Sequence, residues 1–197
     1  MAYKMFNSGI SVGGRPDSHT PNYMGTNQEP WYSRGAIEHL AENIIKDYFE
    51  VFEYGCGSST IWLAQRSKNI ISVEHDEQWT RLVESKIPEK LTNKIQIVHI
   101  PNQETGKYQS SEGPFYDNYV NYIHKTNKKF DLVCVDGRAR PYCIESSIQY
   151  VKNEGFLLID NAERKHYQSA INKIPNKWEK LEFKSPMDTT IIFKNRK

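Results

Sequence analysis

Cysteine is scarce in this chain. Cys56, Cys134 and Cys143 are odd in number and lack paired close spacing, so neither a disulfide framework nor a structural zinc site is expected. Cys134 lies in an apolar run and reads as core; no base neighbours Cys56 or Cys143 in sequence, so a nucleophilic thiol is not expected. Nor is there any run of about eighteen apolar residues, the length a membrane-spanning helix needs. Met1 to Ile10 holds no apolar stretch of signal-peptide length. The expectation is a cytoplasmic protein with no membrane partner. A dominant charge is missing too: 26 Lys and Arg face 24 Asp and Glu, a formal net charge of +2. That balance does not call for a polyanion, so nucleic acid is not indicated.

What remains is ordinary globular material. With 38% hydrophobic and 12% aromatic residues in 197, one sheet covered by helices on both faces can be buried, and a second core would be cramped. Residues 1–30 are rich in Gly, Pro, Asn and Ser and read as an irregular arm; residues 31–197 read as a single domain. From Trp31 to Tyr48 apolar residues recur at helical spacing. Thereafter short β-branched runs alternate with helical stretches, the pattern of a parallel sheet with crossover helices. Strands are expected at Val51–Tyr54, Ile70–Glu74, Ile95–Ile100, Phe130–Asp136, Gly155–Asp160, Trp178–Phe183 and Thr189–Phe193. Helices are expected at Ser59–Arg66, Glu77–Lys86, Tyr116–Thr126, Tyr142–Lys152 and Glu163–Ile174. The last two strands are joined by only Lys184 to Asp188, so one of them must run antiparallel.

The chemistry gathers at strand ends. Tyr54-Gly55-Cys56-Gly57-Ser58-Ser59-Thr60 turns the first strand into a helix, and a Gly-x-Gly there leaves a notch in which a ligand can approach the backbone. Ordinary tight turns use the same pattern. Glu74 closes the second strand at a spacing that suits a carboxylate accepting two hydrogen bonds from a ribose. It equally suits the first turn of the next helix.

Together, Phe52-Glu53-Tyr54-Gly55-Cys56-Gly57-Ser58-Ser59-Thr60 and Ser72-Val73-Glu74-His75-Asp76 resemble the first two cofactor motifs of class I S-adenosylmethionine-dependent methyltransferases. A narrower resemblance, to a bacterial group of small methyltransferases, rests on Asp136-Gly137-Arg138-x-Arg140-x-x-Cys143, Ile159-Asp160-Asn161 with Arg164 and Tyr167, and Thr189-Thr190. The resemblance spans about Trp31 to Lys194. It implies an α/β fold: a Rossmann-like, seven-stranded, mostly parallel sheet with a C-terminal antiparallel strand. It also implies S-adenosylmethionine as cofactor, with Glu53 and the turn through Tyr54, Gly55, Cys56, Gly57, Ser58, Ser59 and Thr60 on the methionine part, Glu74 on the ribose, His75 and Asp76 beside the adenine, and Asp136 near the donor. Thr60 stands where a dinucleotide fingerprint would have its third glycine, and the acids Glu53 and Glu74 favour a sulfonium over a pyrophosphate.

Methyl transfer needs alignment and sometimes removal of a proton. The catalytic candidates are Asp136, Arg138 and Asp160. Arg138, Arg140, Asn161, Arg164 and Tyr167 are the substrate candidates, with the arginines orienting an anionic or hydroxyl-rich acceptor. His166 is a weaker base candidate. Asp136, Asp160 and Asn161 resemble the magnesium ligands of catechol-type O-methyltransferases, but Ala139 replaces that family's lysine and two arginines crowd the place, so no metal is expected. Trp31 to Arg34 either line the pocket or belong to the core, and the aromatic stretch from Tyr108 to Tyr122 is chiefly packing, with an aromatic wall for the acceptor as the alternative. The expected activity is O-methylation of a small molecule or glycan. The alternatives are a non-catalytic cofactor-binding module and a nucleic-acid methyltransferase, although the latter's Asn/Asp-Pro-Pro-aromatic turn is lacking after the fourth strand.

Overall fold

The computed structural model describes residues 29–110 and 113–196; the arm expected at residues 1–30 falls almost wholly outside them. In chain order the elements are α1 (Arg34–His39, continued by a π turn Leu40–Ile44), β1 (Glu50–Tyr54), α2 (Ser58–Ala64), β2 (Asn69–Glu74), α3 (Glu77–Glu84), β3 (Ile95–His99), α4 (Asp117–Val120), α5 (Tyr122–Lys125), β4 (Phe130–Val135), α6 (Arg140–Ser147), β5 (Val151–Ile159), α7 (Gln168–Ile171), β6 (Glu179–Lys184) and β7 (Thr189–Lys194). The strands form one sheet in the order β3-β2-β1-β4-β5-β7-β6. β1 to β5 pair in parallel, and β7 runs antiparallel between β5 and β6.

Position in the sheet explains the composition of each strand. β1 and β4 lie centrally with helices on both faces and are largely apolar; Glu50 and Asp131 stand near their starts, and Glu53 is the acid within β1. The edge strand β6 alternates, with Leu181 and Phe183 turned to the protein and Lys180, Glu182 and Lys184 outward. Those charges, paired along the strand, discourage pairing with another sheet. Phe52, Tyr54, Val133, Val135, Leu157 and Ile159 pack against α4 to α7 on one face. Val51, Leu132, Cys134, Leu158 and Ile192 pack against α1 to α3 on the other.

Four expectations need correction. The first helix ends at Ile44, and Tyr48 is exposed. The helix expected at Tyr116–Thr126 is two short helices that meet at Asn121. The stretch expected as helix to Lys152 gives way to β5 at Val151, because its apolar residues reach strand β4 after a turn of 3-10 helix, and Glu154, at φ +62, absorbs the irregular register. The stretch Glu163–Ile174 holds only a 3-10 turn and α7.

The order places a switch point between β1 and β4, from which the chain leaves toward opposite edges of the sheet; ligands bind at such points, beyond the carboxyl ends of the strands.

Candidate active site

At that switch point lies a cleft of about 1230 Å³. Its floor is the contact of two turns. Gly55 has φ +91, and a Cβ there would stand 2.7 Å from Gly137 Cα; a Cβ on Gly137 would collide with the Tyr119 hydroxyl. Only glycine permits both the backbone angle and the approach. Gly57 differs. Its φ of 178 is extended, and a Cβ would meet nothing closer than 3.9 Å, so what glycine leaves at this wall of the cleft is open space.

Glu53 does not reach the cleft. It is fully buried, and its carboxylate accepts hydrogen bonds from Ser59 Oγ and Thr60 Oγ1 at 2.5 Å and from Ser72 Oγ at 2.8 Å. Thr60 Oγ1 in turn accepts from the Gly57 amide at 2.9 Å. The expected cofactor contacts of Glu53 and Thr60 are thereby corrected: these residues brace the glycine turn from behind. Tyr54 is corrected as well, since strand alternation sends its ring to the opposite face, where the hydroxyl donates to the Val120 carbonyl at 2.8 Å. Burial pushes the Glu53 carboxyl up to about 7, against the pull of the three hydroxyls.

Glu74 does line the cleft. Its Oε2 accepts from the Cys56 amide at 3.1 Å, and Oε1 from the amides of His75 and Asp76 at 2.7 and 3.0 Å, with His75 Nδ1 at 2.5 Å. A carboxylate offers about four acceptor positions, so the remaining capacity is on Oε2. His75 and Asp76 border the same wall, and Asp76 caps α3 by accepting from the Trp79 amide at 2.9 Å. The Trp79 indole then donates to the Cys56 carbonyl at 2.7 Å, fixing the turn from the front. Trp79 escaped the sequence reading; its place three residues after a helix-capping aspartate was the available signal. Tyr116, edge-on to His75 at 5.5 Å, and Asn102 also border this end.

The far end is built on β4, β5 and the turns that follow. The Arg140 guanidinium is enclosed by oxygens: Nε donates to the Gly137 carbonyl at 2.9 Å, and Nη1 to the Asp160 carbonyl at 2.8 Å, Asn161 Oδ1 at 3.2 Å and Asp160 Oδ2 at 3.4 Å. Nη2 donates to the Asp136 carbonyl at 3.0 Å and pairs with Asp136 Oδ1 at 2.7 Å. The five N–H donors of arginine are all engaged within the protein. Arg140 is therefore corrected from a substrate contact to a clamp on the two strand ends. Burial opposes its charge, yet the Asp136 and Asp160 carboxylates outweigh that and hold its proton more firmly than usual.

Asp160 is buried, with Thr190 Oγ1 donating to its Oδ1 at 3.2 Å, and burial with the neighbouring Asp136 raises its carboxyl well above the ordinary range despite Arg140. Asp136 is the accessible member, with 22% of its side chain exposed against 3% for Asp160. Asn161, at φ +51, shares its Oδ1 between Arg140 and Arg164 Nη2, the latter at 3.0 Å. Arg164 Nη1 also donates to the Tyr167 hydroxyl at 3.2 Å. Arg138 is exposed on the cleft, and its guanidinium makes no hydrogen bond or ion pair with the described residues. His166 is an exposed lip residue against Tyr167.

The segment before α1 divides its roles. Trp31 lines the cleft, Tyr32 is core, and the Ser33 amide donates to Thr190 Oγ1 at 2.9 Å, one bond away from Asp160. Arg34 pairs with Glu29 and Glu38 at the surface. Burial pushes the thiols of Cys56, Cys134 and Cys143 well up, which leaves no ready nucleophile among them.

No protein-family model matches the chain, and a search of curated proteins by sequence found no match. Solved structures do match. A methyltransferase-like protein from Silicibacter pomeroyi superposes with a TM-score of 0.63 at 21% identity over 85% of this chain and 88% of its own. An rRNA methylase from Streptococcus thermophilus gives 0.62 at 13% over 81% and 93%. A Streptococcus mutans protein solved in complex with SAH gives 0.61 at 8% over 84% and 99%. At these identities the likeness is one of fold, and the fold is the seven-stranded, mostly parallel α/β sandwich of class I methyltransferases, closed by an antiparallel C-terminal strand.

Proposed function

We propose that this chain is an S-adenosylmethionine-dependent methyltransferase acting on a hydroxyl group of a small molecule or glycan. The observation that carries the reading is the division of one cleft into two ends: Gly55, Gly57, Glu74, His75 and Trp79 line one, and Asp136, Arg138, Asn161, Arg164 and Tyr167 line the other. Its volume of about 1230 Å³ exceeds the roughly 300–1,000 Å³ of a typical single-ligand pocket. Donor and acceptor therefore have room side by side. That a neighbour of the same fold was solved with SAH supports the choice of cofactor.

The residues present fit the cofactor. The space beside Gly57 and the free side of Glu74 Oε2 suit the ribose and its chain, and the aromatic edge of Tyr116 with His75 suits a base. S-adenosylmethionine, when bound, supplies an electrophilic methyl group on a positively charged sulfur. Glu74 and Asp76 give that end of the cleft its negative charge. At the other end Asp136, the more accessible carboxylate of the pair, accepts the acceptor hydroxyl's proton, and Arg138 and Arg164 orient the acceptor.

The test is transfer of a labelled methyl group to a panel of hydroxylated small molecules and oligosaccharides. Turnover that Asp136→Asn abolishes supports the reading. Cofactor binding without turnover on any acceptor would favour a binding module, and turnover on ribosomal RNA alone would favour a nucleic-acid substrate.

A further inference from the structure

Six oxygens, two of them from carboxylates, converge on the Arg140 guanidinium: the carbonyls of Asp136, Gly137 and Asp160, together with Asp136 Oδ1, Asp160 Oδ2 and Asn161 Oδ1. An all-oxygen set of that size with two acids is what hard divalent cations select. Here the set is filled from within the chain. Ala139, at φ +48, reverses the backbone after Asp136 and Gly137, and Pro141 fixes the start of α6, so the side chain between them is directed back across the ends of β4 and β5. Only 12% of it is exposed.

We propose that Arg140 is a built-in cation standing where a divalent metal would otherwise sit, which makes this site metal-independent. Asp136, Asp160 and Asn161 thus do not fit a magnesium ion, because the oxygens it would need already face a fixed positive charge that a second cation would have to displace. The substitution changes what the site can do. A metal ion offers vacant coordination positions and can take a substrate oxygen directly; a guanidinium with every donor engaged cannot. Arg140 is accordingly a positioning residue: it fixes the angle of both carboxyl groups and pairs with Asp136 Oδ1 at 2.7 Å. Proton acceptance is left to Asp136, a consequence that rests on the methyltransferase reading, whereas the cation site itself does not.

The experiment is a titration of the EDTA-treated full chain with Mn2+, followed by the electron paramagnetic resonance signal of free Mn2+. The wild type and Arg140→Lys are expected to bind no stoichiometric Mn2+ at this site. Arg140→Ala, which empties the ring of oxygens, is expected to bind one equivalent at least tenfold more tightly than the wild type, to release it to excess Mg2+, and to lose it when Asp160→Asn is added. Arg140→Gln carries the same test if the alanine variant does not fold, as judged by circular dichroism. One equivalent of Mn2+ on the wild type that Asp160→Asn abolishes would overturn the proposal, as would a folded neutral variant that gains no site. The titration needs no methyl donor or acceptor, so its outcome is separate from that of the transfer assay.

Discussion

Gly55 and Gly137 touch backbone to backbone at the centre of the sheet, where a Cβ on the first would stand 2.7 Å from Cα of the second. This contact lets the turns after β1 and β4 form one continuous floor. Gly57, two residues away, has neither the strained angle nor the crowding.

The two glycines should therefore fail differently. Gly55→Ala combines a positive φ with overpacking and is expected to cost roughly 2–4 kcal/mol of stability, measured by urea unfolding. Gly57→Ala should leave unfolding nearly unchanged and weaken S-adenosylhomocysteine binding by about tenfold or more, on the order of 1.4 kcal/mol. Equal destabilisation by both would remove the distinction.

Glu53 gives a pH signature. Its folded-state carboxyl titrates at about 7, above the ordinary value of 4.5. Between those values the folded chain holds a proton that the unfolded chain has lost, so stability from this group is fully present below about 4.5 and falls as pH rises through 7. Glu53→Gln cannot titrate. Relative to that variant, the wild type should lose stability between pH 5 and pH 8; denaturant melts at the two pH values check the sign.

Thr190 links Ser33 of the segment before α1 to Asp160. Thr190→Val keeps the shape and removes both bonds, leaving the Ser33 amide buried without an acceptor. A loss of about 1–3 kcal/mol is expected, with a lowered turnover because Asp160 is no longer held on that side.

Asp136→Asn should reduce kcat by about a hundredfold or more, as expected for loss of a proton acceptor, while cofactor affinity changes little. Comparable losses of affinity and kcat would instead mark Asp136 as a cofactor contact.

Much of this was legible in the sequence, for identifiable reasons. The seven strands announce themselves because short apolar runs such as Ile70-Ile71-Ser72-Val73 and Leu132-Val133-Cys134-Val135 lie between two covered faces, and the glycine turn stands out because Gly55 is a steric necessity. Side-chain direction was harder to read. Arg138 and Arg140 look alike in Gly-Arg-Ala-Arg and both border the cleft, yet across the left-handed Ala139 Arg138 stays exposed while the Arg140 guanidinium turns into the ring of oxygens. The resemblance implies a cofactor contact for Glu53, and only the hydroxyls of Ser59, Thr60 and Ser72 closing on it reveal a brace. Trp79 reaches the cleft through tertiary packing, which local pattern does not encode.

The central claim is that the acidic, glycine-lined end of the cleft binds the methyl donor. Isothermal titration with S-adenosylhomocysteine tests it most directly. Saturable one-to-one binding is expected, weakened about tenfold to a hundredfold by Glu74→Gln, in line with the roughly 1.5–3 kcal/mol of hydrogen bonds to a charged group, and unchanged by the exposed control Lys90→Ala. No binding, or binding indifferent to both Glu74→Gln and Gly57→Ala, would contradict the account.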